Sequence, residues 1–185
     1  IDESFVDFSE HWETSSLLDN SLLEQNPNLI VIKSISKSYG VPGLRLGILA
    51  SSDEELIKNI KAEVPIWNIN SFAEYFMQIY SKHEADYKIA CARFVEERKK
   101  FYSELQTISY LRVMPSEANF FLCEVLKPFS AKEIVLAMLK RFNILTRDCS
   151  LKPGLDTSKQ YMRIAARNRE ENSRLVAALR AISKQ

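Results

Sequence analysis

Apolar and polar positions in the first half of the chain change from strand-like to helical patterns. The run NLIVIKSIS, from Asn28, is rich in β-branched residues and follows a turn-like Asn-Pro-Asn, so it predicts a buried strand. LRLGILAS, residues 44–51, predicts a second strand. SDEELIKNIKAEV, from Ser52, has a capping-type start and apolar residues at helical spacing, which predicts a helix closed by Pro65. This succession predicts an α/β layer.

A long helical pattern occupies the middle of the chain. Ser71, with Glu74 three residues later, forms a capping box at its start. The apolar stripe that follows consists of Phe72, Tyr75, Phe76, Ile79 and Tyr80. We predict that this stripe packs in a core and does not bind a ligand. The apolar pattern continues to about Ile108, a length that indicates a bend or a helix shared between two domains.

From Tyr110 the pattern returns to short strand-like runs. YLRVMPS, ANFFLCEV, NILTRDC and QYMRIAAR predict four strands. SAKEIVLAMLKRF predicts a helix with Ser130 as N-cap and Glu133 completing the box, and REENSRLVAALRAISK predicts a final helix. We therefore predict an α/β protein with an α/β part at 1–70, a long interdomain helix at 71–108 and a small α+β domain at 109–185.

Composition narrows the function classes. The 185 residues include 25 lysines and arginines against 24 aspartates and glutamates, a balance that argues against nucleic acid as a partner. No apolar run is long enough for a membrane helix, so we expect a soluble, cytoplasmic protein. Cys91, Cys123 and Cys149 are widely spaced, as are His11 and His83, so we expect reduced thiols and no metal site.

The stretch SKSYGVPGLRLG, residues 36–47, concentrates three of the four glycines in the chain. It follows the end of a predicted strand, which is where open α/β sheets bind ligands. The hydroxyls of Ser34 and Ser36, the guanidinium of Arg45 and a closely approaching backbone are groups that hold a phosphate. No Gly-Lys pair is present, so the stretch is not a P-loop.

Lys37 adds covalent chemistry to this predicted phosphate site. A lysine beside a phosphate cradle can form a Schiff base with an aldehyde cofactor that carries the phosphate. Such a cofactor also needs a carboxylate at its pyridine nitrogen, and Asp2 is the candidate. A solvated turn at a strand end is the alternative that these residues leave open.

SISKSYGVPGLRLG resembles the active-site lysine signature of the fold-type I pyridoxal-phosphate enzymes, the class I and II aminotransferases. The signature is Ser-x-Ser-Lys-x-aromatic-Gly-x-x-Gly-x-Arg-x-Gly, and every specified position agrees. IDESFVDF is similar to the upstream DEAYxDF strand end of these enzymes, and YMRIAARNREENSRLVAAL to their C-terminal segment. The nearest branch contains histidinol-phosphate aminotransferase and threonine-phosphate decarboxylase. The chain also resembles the aminotransferase part of fusion proteins that carry a nucleotidyltransferase domain upstream.

The resemblance implies roles for five residues. Lys37 forms the Schiff base and moves the proton at the substrate α-carbon; Ser34, Ser36 and Arg45 bind the phosphate of pyridoxal 5'-phosphate; and Asp2 binds the pyridine nitrogen. It also implies that residues 1–70 are the C-terminal part of the large cofactor-binding domain. We expect the chain to be a C-terminal fragment with an incomplete active site, because the N-terminal half of the proteins in this family supplies further cofactor contacts.

The resemblance also implies a substrate site and one departure from the family pattern. Arg163 matches the arginine that clamps the substrate α-carboxylate, and Arg147 matches one that contacts a distal phosphate. Phe5 replaces a tyrosine whose hydroxyl contacts the cofactor ring oxygen, a bond that phenylalanine cannot make. Asn68 and Asn70 lie in the hinge segment, where we expect them to be structural.

We therefore predict a pyridoxal-phosphate-dependent aminotransferase, a homodimer, that acts on an amino acid or amine with an acidic or phosphorylated distal group. Its partners are an amino donor and a keto acid, with neither nucleic acid nor membrane. Two alternatives stay open: a decarboxylase of an O-phospho amino acid, and a non-catalytic aminotransferase-like module. Sequence alone does not identify the donor and the acceptor.

Overall fold

The computed structural model describes residues 1–182. The chain divides into two units, Ile1–Ala92 and Arg93–Gln185. The division falls within one long helix, Glu84–Leu105, which contributes residues to both units. The predicted domain boundaries at 1–70, 71–108 and 109–185 stay a prediction.

In the first unit, the two predicted strands form an antiparallel pair. Strand β1 (Val31–Ser34) pairs with β2 (Gly47–Ala50) along its whole length. The N-terminal segment lies parallel to β1 through a bridge between Asp2 and Ile32. This arrangement brings the segment that contains Asp2 alongside the strand that leads to the glycine-rich loop.

The loop between β1 and β2 explains why β2 begins later than predicted. Residues Pro42–Leu44 form a single 3-10 turn, and Arg45 follows in the left-handed region with φ of 54°. Strand geometry therefore starts only at Gly47. A Cβ on Gly47 would lie 3.2 Å from the carbonyl oxygen of Lys33, so glycine permits the close approach of the two strands.

The helices of the first unit are α1 (Trp12–Ser15), α2 (Asn20–Gln25), α3 (Glu54–Glu63), α4 (Ser71–Tyr80) and the beginning of α5 (Glu84–Leu105). The predicted long stretch at 71–108 is thus two helices. The amide of Lys82 donates to Ile79 and that of His83 to Tyr80, and these tight bonds close α4. The N-cap of α4 is Asn70, whose side chain accepts a hydrogen bond from the amide of Ala73 at 3.0 Å. Ser71 is the first residue of the helix, so the predicted cap was one residue late.

The apolar stripe of α4 is only partly packed. Phe72 and Tyr75 are 79% and 62% exposed, so the prediction of core packing is wrong for them. Phe76 and Tyr80 are half-buried, and their rings lie 6.5 and 5.4 Å from the ring of Tyr39. Aromatic packing of the stripe is therefore confined to the second half of the helix, where Tyr39 supplies a partner ring.

The second unit contains a four-stranded antiparallel sheet in the order β3-β4-β6-β5. The strands are β3 (Leu111–Val113), β4 (Phe120–Val125), β5 (Arg147–Asp148) and β6 (Gln160–Ala165), and the helices are α6 (Ala131–Phe142) and α7 (Arg169–Ile182). These elements confirm the four strands and two helices predicted after Tyr110. The last two residues of the predicted final helix, 183–184, lie outside the described residues.

Side chains that alternate in direction along β4 and β6 determine which side of this sheet is buried. Phe121 and Cys123 of β4 pair with Ile164 and Met162 of β6, and all four side chains are at most 1% exposed. They form one core with residues of α6, α7 and the second part of α5. The intervening positions, which include Arg163, point away from this core.

The three cysteines are free, as predicted, and all three are buried. Within residues 1–182, no helix is both long and apolar enough to cross a membrane. The same residues contain no group of three or more histidine, cysteine, aspartate or glutamate side chains arranged to hold a metal ion.

Candidate functional site

Five of the residues predicted to form a site lie around one open cavity of the first unit. The cavity has a volume of about 540 Å³, and Asp2, Ser34, Ser36, Lys37 and Arg45 all line it. Ser34 ends β1, Lys37 lies in the turn that follows, and Arg45 precedes β2. The structure thus brings together an amine, a carboxylate, two hydroxyls and a guanidinium on one side of the strand pair.

Asp2 is placed by its own turn. Its Oδ1 accepts the backbone amide of Ser4 at 2.8 Å. Hydrogen bonds from Ser4 lower the pKa of the Asp2 carboxyl, and the nearby charge of Lys37 contributes in the same direction. The side chain is exposed, so it is available as an anion at neutral pH to a positively charged ring nitrogen.

Lys37 is exposed and lies over an aromatic ring. Its Nζ is 4.7 Å from the ring centre of Phe5, a cation–π distance. Phenylalanine at this position therefore contacts the amine through its ring face and offers it no hydroxyl. On the other side of the loop, Nη1 of Arg45 donates to the carbonyl oxygen of Pro42 at 3.1 Å.

Polar contacts join the segment of Asp2 to the strand that leads to Lys37. The backbone amide of Ser34 donates to Oγ of Ser4 at 3.0 Å, and that of Glu3 to the carbonyl of Ile32 at 2.8 Å. The Glu3 side chain points elsewhere, where it accepts from Ser16 at 2.8 Å. The two halves of the cavity wall are thus held to each other by hydrogen bonds.

A buried ion pair completes this connection, and the sequence reasoning missed it. Nζ of Lys33 lies 2.6 Å from Oδ1 of Asp7, and Oγ of Ser38 donates to Oδ2 of the same carboxylate at 2.7 Å. A signal was present, because strand alternation puts Lys33 on the same buried side as Val31. A lysine at such a position requires a buried anion as partner.

In the second unit, the two predicted substrate arginines are direct neighbours across two strands. Arg147 of β5 lies opposite Arg163 of β6. The guanidinium of Arg163 lies 5.2 Å from the ring centre of Phe120. Among the ion pairs found in residues 1–182, neither arginine has a carboxylate partner. Two cations side by side without a counter-charge are suited to binding an anion.

Of the two hinge asparagines, Asn70 has the structural role that we expected. Its Nδ2 donates to the carbonyl of Leu44 at 2.8 Å while its Oδ1 caps α4. Asn68 is exposed in the segment ahead of that helix. The side chain of Asn70 therefore ties the start of α4 to the loop that contains Arg45.

Comparison with known proteins gives a family and several relatives. The family described as Aminotransferase class I and II matches residues 1–179. CMP-5'-(3-aminopropyl)phosphonate synthase of Streptomyces rubellomurinus is 38% identical over 98% of the chain and 28% of its own length. Threonine-phosphate decarboxylase of Salmonella typhimurium is 34% identical over 98% of the chain and 48% of its own length.

A solved structure matches the chain over its full length. The crystal structure of histidinol-phosphate aminotransferase from Clostridium acetobutylicum gives a TM-score of 0.88 at 30% identity, covering 100% of the chain and 54% of that protein. The predicted α/β fold is therefore confirmed. The chain spans about half the length, or less, of the relatives named here.

Proposed function

Because the chain belongs to the class I and II aminotransferase family, we propose that it carries the lysine and the substrate arginines of a pyridoxal-phosphate-dependent transaminase. The predicted resemblance to the histidinol-phosphate aminotransferase and threonine-phosphate decarboxylase branch is confirmed by the matches to both. The family uses pyridoxal phosphate. One observation carries the proposal: all five predicted cofactor residues line a single cavity.

The residues around the cavity fit this cofactor chemically. Ser34, Ser36 and Arg45 hold the phosphate, Asp2 holds the ring nitrogen, and Lys37 supplies the amine. The lowered pKa of Asp2 supports its part, because an ionised carboxylate keeps a pyridine nitrogen protonated. When bound, the cofactor supplies an aldehyde for attachment and a ring that withdraws electrons from the substrate α-carbon. Lys37 moves the proton at that carbon.

The substrate is an amino acid or amine with an acidic or phosphorylated far end. Arg163 holds the α-carboxylate and Arg147 the distal anion, which supports one substrate with two anionic groups. Their position opposite each other, without a carboxylate partner in residues 1–182, favours this role. The amino donor and the keto acid are the small-molecule partners.

Further proposals concern the complete protein. Since the chain covers only about half of two relatives and 28% of the third, we propose that this chain alone is an incomplete active site. A nucleotidyltransferase domain upstream is supported by the CMP in the name of the Streptomyces synthase, of which the chain covers only 28%. The homodimer and the location in the cytoplasm stay predictions.

Covalent trapping tests the proposed role of Lys37. The complete protein and this chain are each mixed with pyridoxal phosphate, reduced with borohydride and mapped by peptide mass. We expect an adduct at Lys37 that Lys37→Ala abolishes and that Lys61→Ala, a change on the exposed surface of α3, leaves intact. Labelling scattered over surface lysines, or an active Lys37→Ala variant, would contradict the proposal.

Phe5 favours one second candidate, a decarboxylase of an O-phospho amino acid. The Salmonella relative is a threonine-phosphate decarboxylase, and Phe5 lacks the tyrosine hydroxyl that contacts the cofactor ring oxygen in the aminotransferase pattern. The complete protein is supplied with phosphoserine or phosphothreonine and with a second keto acid as acceptor of the amino group. Carbon dioxide and the keto acid formed from the phospho amino acid are both measured. Carbon dioxide favours the decarboxylase and keto acid the transaminase. Cofactor capture with neither product would favour the non-catalytic module.

A further inference from the structure

We propose that Asp7 and Ser38 are positioning residues for Lys37, with the buried Lys33 holding Asp7 in place. This inference rests on the proposed role of Lys37. Ser38 occupies a position that the lysine signature leaves open. Lys33 also lines the cavity, but neither Asp7 nor Lys33 is among the five residues proposed to hold the cofactor. All of them lie in the first unit.

The carboxylate of Asp7 is a rigid attachment point. Its side chain is 5% exposed and that of Lys33 is 8% exposed, with 2.6 Å between Oδ1 and Nζ. Its other oxygen, Oδ2, accepts from Oγ of Ser38 at 2.7 Å. Both oxygens of one buried carboxylate are therefore occupied, one by a strand residue and the other by the residue directly after Lys37. A hydrogen bond to a charged acceptor is stronger than one between neutral groups.

The backbone bonds of the loop are long by comparison. The amides of Ile35, Tyr39 and Gly40 donate at 3.3, 3.3 and 3.2 Å. These distances lie at or beyond the upper end of the usual range for an amide donor. The loop therefore depends on side-chain contacts for its conformation, and the bond from Ser38 is the shortest one made next to Lys37.

A second contact fixes the loop one residue further on. The ring of Tyr39 stacks on that of Tyr87 with 4.2 Å between centres and 13° between planes. Lys37 is thus followed by two anchored residues, while its own side chain is exposed. This arrangement leaves the amine free to react and restricts the direction from which it does so.

The test compares two serines that make bonds of equal length. Ser38→Ala removes the bond to Asp7, and Ser52→Ala removes a bond of 2.7 Å from Ser52 to the carbonyl of Leu23, elsewhere in the same unit. Ser38→Thr keeps the hydroxyl. Two quantities are measured on the complete protein: the rate of pyridoxal phosphate capture at Lys37, trapped by borohydride, and hydrogen–deuterium exchange of the peptide spanning 35–40.

We expect Ser38→Ala to slow pyridoxal phosphate capture at Lys37 about tenfold. The loss of one hydrogen bond to a charged group lowers the population of the loop conformation that the bond stabilises by about this factor. Exchange in 35–40 rises by a similar factor. Ser52→Ala and Ser38→Thr stay within about twofold of the parent protein in both measurements. Ser52→Ala loses a hydrogen bond that does not involve residues 35–40, and Ser38→Thr keeps the hydroxyl that bonds to Asp7.

The outcomes separate this inference from the proposed function. Absence of an adduct on Lys37 in the parent protein would overturn both. Normal capture by the parent, with Ser38→Ala equal to Ser52→Ala, would overturn the positioning role and leave the role of Lys37 intact. Faster exchange in Ser38→Ala without slower capture would also overturn it, because the contact would then be only structural.

Discussion

The ion pair of Lys33 and Asp7 makes the stability of the first unit sensitive to one substitution. Lys33→Met keeps most of the aliphatic stem and removes the ammonium group, which lies 2.6 Å from the carboxylate. Breaking a buried pair by removing one partner costs about 3–5 kcal/mol, because the remaining charge is uncompensated. Asp7 retains its bond from Ser38, so we expect the lower end, about 3 kcal/mol.

Tryptophan fluorescence during urea denaturation measures this loss. The two tryptophans of the chain, Trp12 and Trp67, both lie in the first unit, so their fluorescence reports on that unit, while circular dichroism follows the whole chain. Lys88→Met is the matched control. Lys88 pairs with Glu84 at 3.1 Å with both side chains 50% exposed, and exposed pairs contribute little to stability.

The comparison can refute the reasoning directly. Equal free energies of unfolding for Lys33→Met and Lys88→Met would mean that burial of the first pair has no energetic consequence. A further check is the double variant Lys33→Met with Asp7→Asn, in which no buried charge is left unpaired. We expect it to be more stable than Lys33→Met alone, and a double variant that is less stable would contradict the account.

Two other predictions concern the second unit. Arg147→Gln removes one of two like charges that lie directly opposite each other, so we expect it to raise the free energy of unfolding by about 0.5 kcal/mol. Urea titration followed by circular dichroism measures this change. A free energy of unfolding below that of the parent protein would contradict the pairing with Arg163. Burial raises the pKa of the Cys123 thiol to about 12. At pH 8, four units below that pKa, only about one thiol in ten thousand is ionised. We therefore expect iodoacetamide to leave Cys123 unmodified in the folded protein and to alkylate it in urea, which mass spectrometry measures. Fast modification of Cys123 in the folded protein would contradict its burial.

Local signals predicted most elements of the fold. Ser130 caps α6 by accepting the amide of Glu133 at 3.2 Å, as the capping box indicates. The length of the stretch at 71–108 indicated a bend or a shared helix, but the place of the break after Tyr80 was missed. No proline or glycine marks it, and the bonds that close α4 are backbone bonds without a sequence signature. The exposure of Phe72 was also missed, since a helical stripe indicates that residues share a side without indicating what covers it.

The candidate site was predictable in part, for a related reason. Lys37 and Arg45 belong to a signature that can be read along the chain, and Asp7 lies in the motif-like segment IDESFVDF. The contact between Asp7 and Ser38, which are 31 positions apart, forms only through folding. The signal for Lys33 was its place in strand alternation, which required the register of β1 to be known. Sequence reasoning thus finds the residues of a shared motif and misses the contacts that form between separate segments.

The residues assigned to binding are held at a local energetic cost. Arg45 has φ of 54°, a conformation that costs a residue with a side chain about 1 kcal/mol or more. Asn143 has the same φ at the end of α6, but there asparagine is a favoured residue and no ligand is needed to explain it. Arg147 and Arg163 are two adjacent cations without a counter-charge in residues 1–182. A bound anion would offset the repulsion between the two arginines. At Arg45, glycine would adopt the same conformation without strain, but it has no guanidinium with which to bind a phosphate.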